Sequence, residues 1–465
     1  MSLINITKYI AKILACVFFI FYYISFSHAT LTLKIDSSNE NNKSNILFFG
    51  FQNQDPDLNK NIKLIASQIE SNLLSTNLFN TRFNLNTLET ILDDNTIEQN
   101  ITLSKIDYDI NSQSVPNFLK YKKQNIGAII VAEFSYDEVG NIEAKIRGWD
   151  TLDQEQLFGR HYIASKDNIN KIANYITNEI YTKLTGEKFG HFNSKIAYIA
   201  ESGSFLNRKK KLAIINFDGT KRVFLTDGSD LVLTPAFSID RSTIYYLKYF
   251  LDKPQIFKTD LKTGKSIKAT GFRDSNFALS LHPKDKNKIL LSATIDKNTD
   301  IYEYDMNTNA SLRITNNSAI DTTASYSPDG TKIAFTSDRD GKQQIYVINY
   351  DQYSINKITS NNASYSKPKW SPDGKYIAFT KIKNNQFYAG IMLPDGTNEK
   401  ILASAYLLEG VKWSPNSRYI IYSKQRSAYG YKSIPKIFIT DIITGFEYQI
   451  PTPKKEGATD PDWVF

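Results

Sequence analysis

The stretch TASYSPDGTKIAFTSDRDGKQQIY, residues 323–346, decides the fold of this chain. In the tripeptide 328–330, proline presets φ for a tight turn, aspartate can hydrogen-bond to the nearby backbone, and glycine tolerates a positive φ. Short apolar runs with β-forming character follow at 333–335 and 345–348, separated by a second turn at 338–341. The pattern therefore predicts strand, turn, strand, turn and strand, with no room for a helix.

The same unit recurs through the second half of the chain. Each copy has a bulky residue before the turn motif, and these anchor residues are Phe237, Leu281, Tyr326, Trp370, Trp413 and Trp463. Successive anchors lie 43 to 50 residues apart. A period of about 40 to 45 residues with several short strands per unit is typical of a propeller blade. Six anchors predict six blades.

The two ends of the repeat region are complementary. Residues 195–200 match the second strand of a blade but have no first strand before them, whereas 462–465 supply a first strand with nothing after it. We expect the C-terminal strand to pair with 196–200 and close the ring, since closure protects the edges of the sheets.

Residues 1–29 have the pattern of a secretory signal peptide. Lys8 and Lys12 precede the apolar run 13–26, and Ala29 ends a short segment with small residues at the cleavage-determining positions. The alternative is a retained membrane anchor, but an apolar run of about fourteen residues is short for a span. Cleavage after Ala29 would remove Cys16, the only cysteine. We therefore expect an exported chain without disulfides, held together by packing alone.

The mature chain divides into three parts. Residues 30–44 are polar and predict a flexible tail, either a leader without a role or a peptide that adds to a partner's surface. Residues 45–188 combine strand-like runs with helical spacing at 58–74 and 169–184, which predicts an α/β domain. Gly186 suits the end of the second helix. Residues 189–465 form the predicted six-bladed all-β propeller, so the fold class is α+β multidomain.

No catalytic constellation is present in the sequence. The chain lacks the nucleophile motif of propeller-bearing hydrolases, the zinc-protease motif and the P-loop motif. His161, His191 and His282 have no metal-like spacing, and the acidic turn 338–341 lacks the downstream acid of a calcium loop. We therefore expect no enzyme activity, no metal and no cofactor. The basic run 208–211 is either a solvated loop or a contact for an acidic partner.

The loops that lead into the innermost strands differ between blades, and variable loops on a repeated scaffold usually carry recognition. The polar and aromatic residues just before the anchors predict a peptide-binding mouth at Asn276, Asp321, Thr322, Tyr365, Ser366, Glu409 and Thr459. Two alternatives remain at this point. A hydrolase or lactonase with a channel calcium would use Asp321 and Glu409, and a glycan-binding propeller would use Tyr365 as an aromatic platform.

The order of these parts resembles the TolB family of the bacterial Tol–Pal envelope system. The resemblance covers the α/β domain, the junction 184–188 leading to 196–198, and the Ser-Pro-Asp-Gly blades. The resemblance implies a periplasmic, non-enzymatic adaptor that acts as a monomer and contacts neither nucleic acid nor, except through partners, the membranes. It also implies a role in outer-membrane integrity and in membrane invagination during cell division.

The resemblance implies two binding surfaces as well. The propeller mouth would bind a Pal-type lipoprotein, and Ser275 joins Asn276 and Thr322 as a mouth residue on this basis. The tail would bind a TolA-type protein through its first residues, which are Leu31, Thr32, Leu33, Lys34, Ile35 and Asp36.

Overall fold

The computed structural model describes residues 43–51, 55–85, 116–204, 207–250, 253–272, 275–350, 354–360, 362–428 and 434–465. The predicted signal peptide, its cleavage site and the tail residues 31–36 lie outside this part of the chain. Among the described residues, no helix has both the length and the apolar character needed to cross a bilayer.

The N-terminal region is built on a five-stranded mixed sheet. Its strands are β1 (Ser44–Phe51), β2 (Phe79–Asn84), β3 (Ala128–Tyr136), β4 (Ile142–Asp150) and β5 (Glu155–Ala164), in the order β2-β1-β3-β4-β5. β1 pairs in parallel with β2 and β3, whereas β4 and β5 are antiparallel additions. The helices are α1 (Pro56–Ser75), α2 (Phe118–Lys122) and α3 (Ile169–Thr185), the last preceded by a 3-10 turn at Lys166–Asn168.

The two long helices form where the spacing of apolar residues predicts them. Asp55 caps α1 by accepting hydrogen bonds from the backbone N–H groups of residues 57 and 58. Gly186 ends α3 in the left-handed region, at φ 72°, and donates to the carbonyl of Thr182. Their buried stripes, which include Ile65 and Ile176, join the apolar face of the sheet in one core.

The rest of the chain forms six four-stranded antiparallel sheets, so the six-bladed propeller is confirmed. Blade 1 has β9 (Val232–Phe237), β10 (Thr243–Phe250), β11 (Lys253–Asp260) and β12 (Ser266–Lys268). Blade 2 has β13 (Ser275–Leu281), β14 (Lys288–Ile295), β15 (Asn298–Asp305) and β16 (Ser311–Arg313). Blade 3 has β17 (Asp321–Tyr326), β18 (Lys332–Ser337), β19 (Gln344–Asn349) and β20 (Ser354–Lys357). Blade 4 has β21 (Ser364–Trp370), β22 (Ile377–Lys383), β23 (Gln386–Met392) and β24 (Lys400–Ala405). Blade 5 has β25 (Leu407–Trp413), β26 (Tyr419–Gln425), β27 (Lys436–Asp441) and β28 (Glu447–Gln449).

Blade 6 joins the two ends of the repeat region. β29 (Gly457–Val464) pairs antiparallel with β6 (Lys195–Ser202), which continues to β7 (Lys209–Asn216) and β8 (Val223–Phe224). Trp463 stands opposite Ile196 in this ladder, and its indole N–H donates to Ser194 Oγ at 2.6 Å. The predicted closure is therefore confirmed.

The repeated turn motif has a hydrogen-bond basis. In blade 4, Ser371 Oγ donates to Asp373 at 2.6 Å and accepts from the backbone N–H of Tyr376 at 3.0 Å. The serine thus ties the turn to the start of the second strand, and blades 1, 3 and 5 repeat this arrangement. In blade 2, His282 Nδ1 instead accepts from two backbone N–H groups of its turn.

The N-terminal region packs on the end of the propeller that carries these turns. Arg418, in the turn of blade 5, pairs with Asp441 at 2.8 Å and with Glu187 after α3 at 3.2 Å. The Tyr181 hydroxyl of α3 lies 3.0 Å from the Tyr419 hydroxyl. One apolar cluster runs from the five-stranded sheet to blades 5 and 6, so packing is continuous across the predicted boundary at residue 188. The innermost strands begin at the opposite end, which is the predicted mouth.

Candidate functional site

Six innermost strands, the first of each blade, surround the central channel. Each strand carries a β-bulge three residues before its anchor, and the bulge residues with positive φ are Thr234, Ala278, Thr323, Lys367, Gly410 and Asp460. A positive φ is unusual for threonine because its branched Cβ crowds the backbone. The sequence carries no signal for this feature, since only one of the six positions is glycine.

The bulge residues of blades 1, 3 and 4 bind the neighbouring blade. The backbone N–H of Thr323 donates to Ser292 Oγ of blade 2 at 3.2 Å, and that of Lys367 donates to Thr336 Oγ1 of blade 3 at 3.0 Å. These contacts satisfy backbone groups that the ladder leaves free. Hydrogen bonds therefore join these blades at the channel wall, and the residues around each bulge face a new direction.

The predicted mouth residues fall into two groups, because alternate residues of a strand face opposite sides. Thr322, Ser366, Glu409 and Thr459 all stand four residues before their anchors and are partly exposed. Asp321 and Tyr365 stand five residues before theirs and are buried, with exposed fractions of 0% and 2%. For Ser275 and Asn276 the structure gives the backbone at the start of β13, and their side chains lie outside the described part.

The prediction that Asp321 and Tyr365 contact a partner at the surface is wrong, because both side chains are buried. The Asp321 carboxylate accepts hydrogen bonds from Arg339 at 3.1 Å and from Asn317 at 2.7 Å, so it fixes its own blade. The Tyr365 hydroxyl donates to Glu399 at 2.8 Å from a buried ring. The Asp321 side chain therefore supports a loop of the mouth from beneath, whereas Tyr365 binds the residue that precedes β24.

Two of the partly exposed residues also have internal partners. The Thr322 hydroxyl lies 3.3 Å from Ser292 Oγ, and the Thr459 hydroxyl donates to Glu201 at 3.0 Å. Glu409 pairs with Lys367 at 3.1 Å while both side chains remain well exposed. Glu409 therefore keeps the most freedom to exchange its partner.

An apolar rim at the mouth was missed by the sequence analysis. Leu231, Ile320 and Tyr406 each stand one residue before an innermost strand, in blades 1, 3 and 5, and are 40%, 53% and 52% exposed. These residues are called the rim trio below. Large apolar side chains held in water at regular positions around one opening are typical of a docking surface. Their position directly before β9, β17 and β25 is a signal that the sequence analysis could have used.

Comparisons with known proteins agree with this architecture. A family model described as the TolB β-propeller domain matches residues 181–464. The Tol-Pal system protein TolB of Gluconobacter oxydans (strain 621H) is 36% identical over 352 residues, covering 75% of this chain and 77% of that protein. The chain belongs to the TolB family. The crystal structure of TolB from Acinetobacter baumannii has a TM-score of 0.75 to this chain, covers 90% of this chain and 96% of its own, and is 24% identical. That likeness supports the same fold, and the resemblance to the TolB family is confirmed.

The channel of this TolB-family chain carries charges on the strands of blades 4, 5 and 6. Lys412, one residue before its anchor, pairs with Asp462 at 3.0 Å and also donates to the carbonyl of Pro235 in blade 1. Its ammonium group therefore reaches past β29 toward β9. Asp462 and Asp460 in turn accept backbone N–H groups of β9, at 2.7 Å and 3.3 Å. None of these channel residues was predicted from the sequence.

Proposed function

We propose that this chain is a non-enzymatic periplasmic adaptor of the Tol–Pal system. The channel mouth binds a Pal-type lipoprotein, and the tail residues 31–36 bind a TolA-type protein. The chain is exported, its signal peptide is removed after Ala29, and it acts as a monomer. By linking its partners it supports outer-membrane integrity and invagination during cell division.

The observation that carries the mouth proposal is the combination of an apolar rim with a polar channel wall. The rim trio offers two aliphatic side chains and one tyrosine at a single opening. Tyrosine is enriched among residues that dominate binding energy, and a polar surround is common in protein interfaces. Membership of the TolB family supports the proposal that the partner at this interface is another component of the Tol–Pal system.

The geometry gives less support to the two alternatives. A channel calcium needs free inward carboxylates, but Asp321 is held by Arg339 and Glu409 by Lys367. Lysine ammonium groups in the channel would also repel a cation. The burial of the Tyr365 ring argues against a glycan platform at this residue.

Calorimetric titration of the mature chain, residues 30–465, with the soluble domain of its own organism's Pal-type lipoprotein tests the mouth. Tyr406→Ala should weaken binding at least tenfold, since interface aromatics commonly contribute about 2 kcal/mol or more. The matched control is Ile443→Ser, which changes an exposed apolar residue in a turn at the opposite end of the propeller and should leave affinity unchanged. Equal affinity for Tyr406→Ala and wild type would refute the rim as the interface.

The tail needs a separate experiment. Deletion of residues 31–36 should abolish binding to a TolA-type C-terminal domain and leave Pal-type binding intact at the mouth. Loss of both interactions on tail deletion would contradict two separate surfaces. Protease sensitivity of the tail with and without the Pal-type domain would then show whether the two sites are coupled.

A further inference from the structure

Three lysines lie on adjacent innermost strands of the channel: Lys367 and Lys369 on β21, and Lys412 on β25. Two of them have carboxylate partners, since Lys367 pairs with Glu409 at 3.1 Å and Lys412 with Asp462 at 3.0 Å. Lys369 is partly buried, and among the residues that the structure describes no carboxylate lies within ion-pair distance of it.

In the described part of the chain, the ammonium group of Lys369 makes no ion pair that joins blade 4 to its neighbours. The position one residue before the anchor holds Ser325 in blade 3 and Asp462 in blade 6, and both side chains accept the backbone N–H of the next blade's anchor. A lysine has no acceptor and cannot make that bond. Lys369 instead contacts the neighbouring blade through its backbone carbonyl, which accepts a hydrogen bond from the indole N–H of Trp413 at 2.9 Å.

The charged groups near Lys369 do not neutralise its positive charge. Lys412 and Lys367 contribute two positive charges and Asp462 one negative charge. Burial, together with the two lysines, lowers the pKa of Lys369 to about 8. A cation that is partly removed from water among other cations is costly unless an anion joins it.

We propose that the channel between β21 and β25 binds a carboxylate at Lys369, with Lys412 alongside. A single negative charge neutralises one ammonium group that has no ion-pair partner, and a carboxylate carries a single negative charge. The carboxylate can come from a free small molecule or from an aspartate or glutamate of a protein loop inserted through the mouth. The site belongs to this chain and does not depend on the identity of the protein that docks there.

The first experiment detects the site directly. The mature chain is reductively methylated with ¹³C on its lysines, and the Lys369 signal is identified by its loss in Lys369→Arg. Titration with acetate, against sodium chloride at equal ionic strength, should shift the Lys369 signal to saturation and raise its pKa. Lys375, whose side chain is 73% exposed, serves as the internal control and should not saturate. A Lys369 response no larger than that of Lys375 would overturn the proposal.

The second experiment separates the two sources of the carboxylate. If a partner inserts an acidic side chain, Lys369→Met should weaken binding of the soluble Pal-type domain about tenfold. Lys369→Arg keeps the positive charge and should retain binding. Wild-type affinity should also fall as the pH rises through 8, whereas Lys369→Arg should keep its affinity. Saturable acetate binding with unchanged partner affinity would assign the site to a free small anion. Because the acetate experiment contains no partner, absence of Pal-type binding would refute only the proposed function.

Discussion

Histidine 191 should make the stability of this protein depend steeply on pH. It is buried where α3 meets the closing blade, with its ring 4.8 Å from the rings of Phe217 and Tyr419 and 5.9 Å from that of Trp463. Its Nδ1 has no hydrogen-bond partner among the described residues. Burial, and then the positive charge of Arg418, lower the pKa of His191 from 6.5 to about 3.

The direction of the effect follows from proton binding. Between pH 6.5 and about 3, His191 is protonated in the unfolded chain and neutral in the folded one, so the free energy of unfolding rises with pH. The stabilisation is fully present above pH 6.5 and is lost as the pH falls toward 3. Each pKa unit corresponds to about 1.4 kcal/mol, so lowering the pH from 7 to 5 should remove about 2 kcal/mol.

Urea unfolding at pH 7, 6 and 5, followed by tryptophan fluorescence, measures this loss. His191→Phe keeps an aromatic ring in the cluster and removes the titrating group, so its loss of stability between pH 7 and 5 should be smaller than that of wild type by about 2 kcal/mol. Overpacking by the larger ring can lower stability at every pH, but it does not change this difference. Ile443→Ser, which changes an exposed residue that carries no titrating group, is the control and should keep the wild-type difference between pH 7 and 5. An unchanged slope in His191→Phe would refute the reasoning.

Three further sets of substitutions test the channel wall, the closure and the turn motif. Thr234→Gly should stabilise the protein by about 1 kcal/mol, because it relieves the backbone strain of a threonine at φ 45° and removes a buried hydroxyl without a partner in the described structure. The control, Thr299→Gly in the regular strand β15, should destabilise the protein. Trp463→Ala should cost about 3–5 kcal/mol in urea unfolding, but Trp463→Phe, which loses mainly the bond to Ser194, should cost only about 1–2 kcal/mol. Ser371→Ala should cost about 1–2 kcal/mol, since it breaks two hydrogen bonds made by a buried serine side chain, and no change in the urea midpoint would show that the motif is dispensable in blade 4.

The repeat was readable from the sequence because it depends on local chemistry. Proline, aspartate and glycine at 328–330 specify a turn on their own, and the serine before them adds side-chain bonds within the same few residues. The anchors and their spacing then fixed the number of blades, and the unmatched strands at 196–200 and 462–465 fixed the closure. Each of these inferences used contacts that repeat or lie close in sequence.

The mouth was less predictable because it depends on which way each side chain faces. Adjacent residues such as Asp321 and Thr322 were grouped together, although a strand sends them to opposite sides. In blade 4 the bulge at Lys367 then changes the direction in which the side chains face before Lys369. The bulges at Thr323 and Lys367 are hydrogen-bonded to the neighbouring blade, which is distant in sequence, so no local sequence pattern predicts them.

The closing strand connects the two ends of the molecule. Near its start at the mouth, β29 carries Thr459, whose hydroxyl donates to Glu201. Near its other end it carries Trp463, which lies in the cluster around His191. Between these points Asp462 holds both Lys412 and the backbone of β9. A ligand that draws Lys412 toward the channel centre must therefore act on a strand that also secures the N-terminal region. Substitutions of residues that share partners change the free energy of unfolding non-additively, so a double-mutant cycle between Lys412 and Trp463 measures this connection. Strict additivity would mean that the mouth and the N-terminal region respond independently.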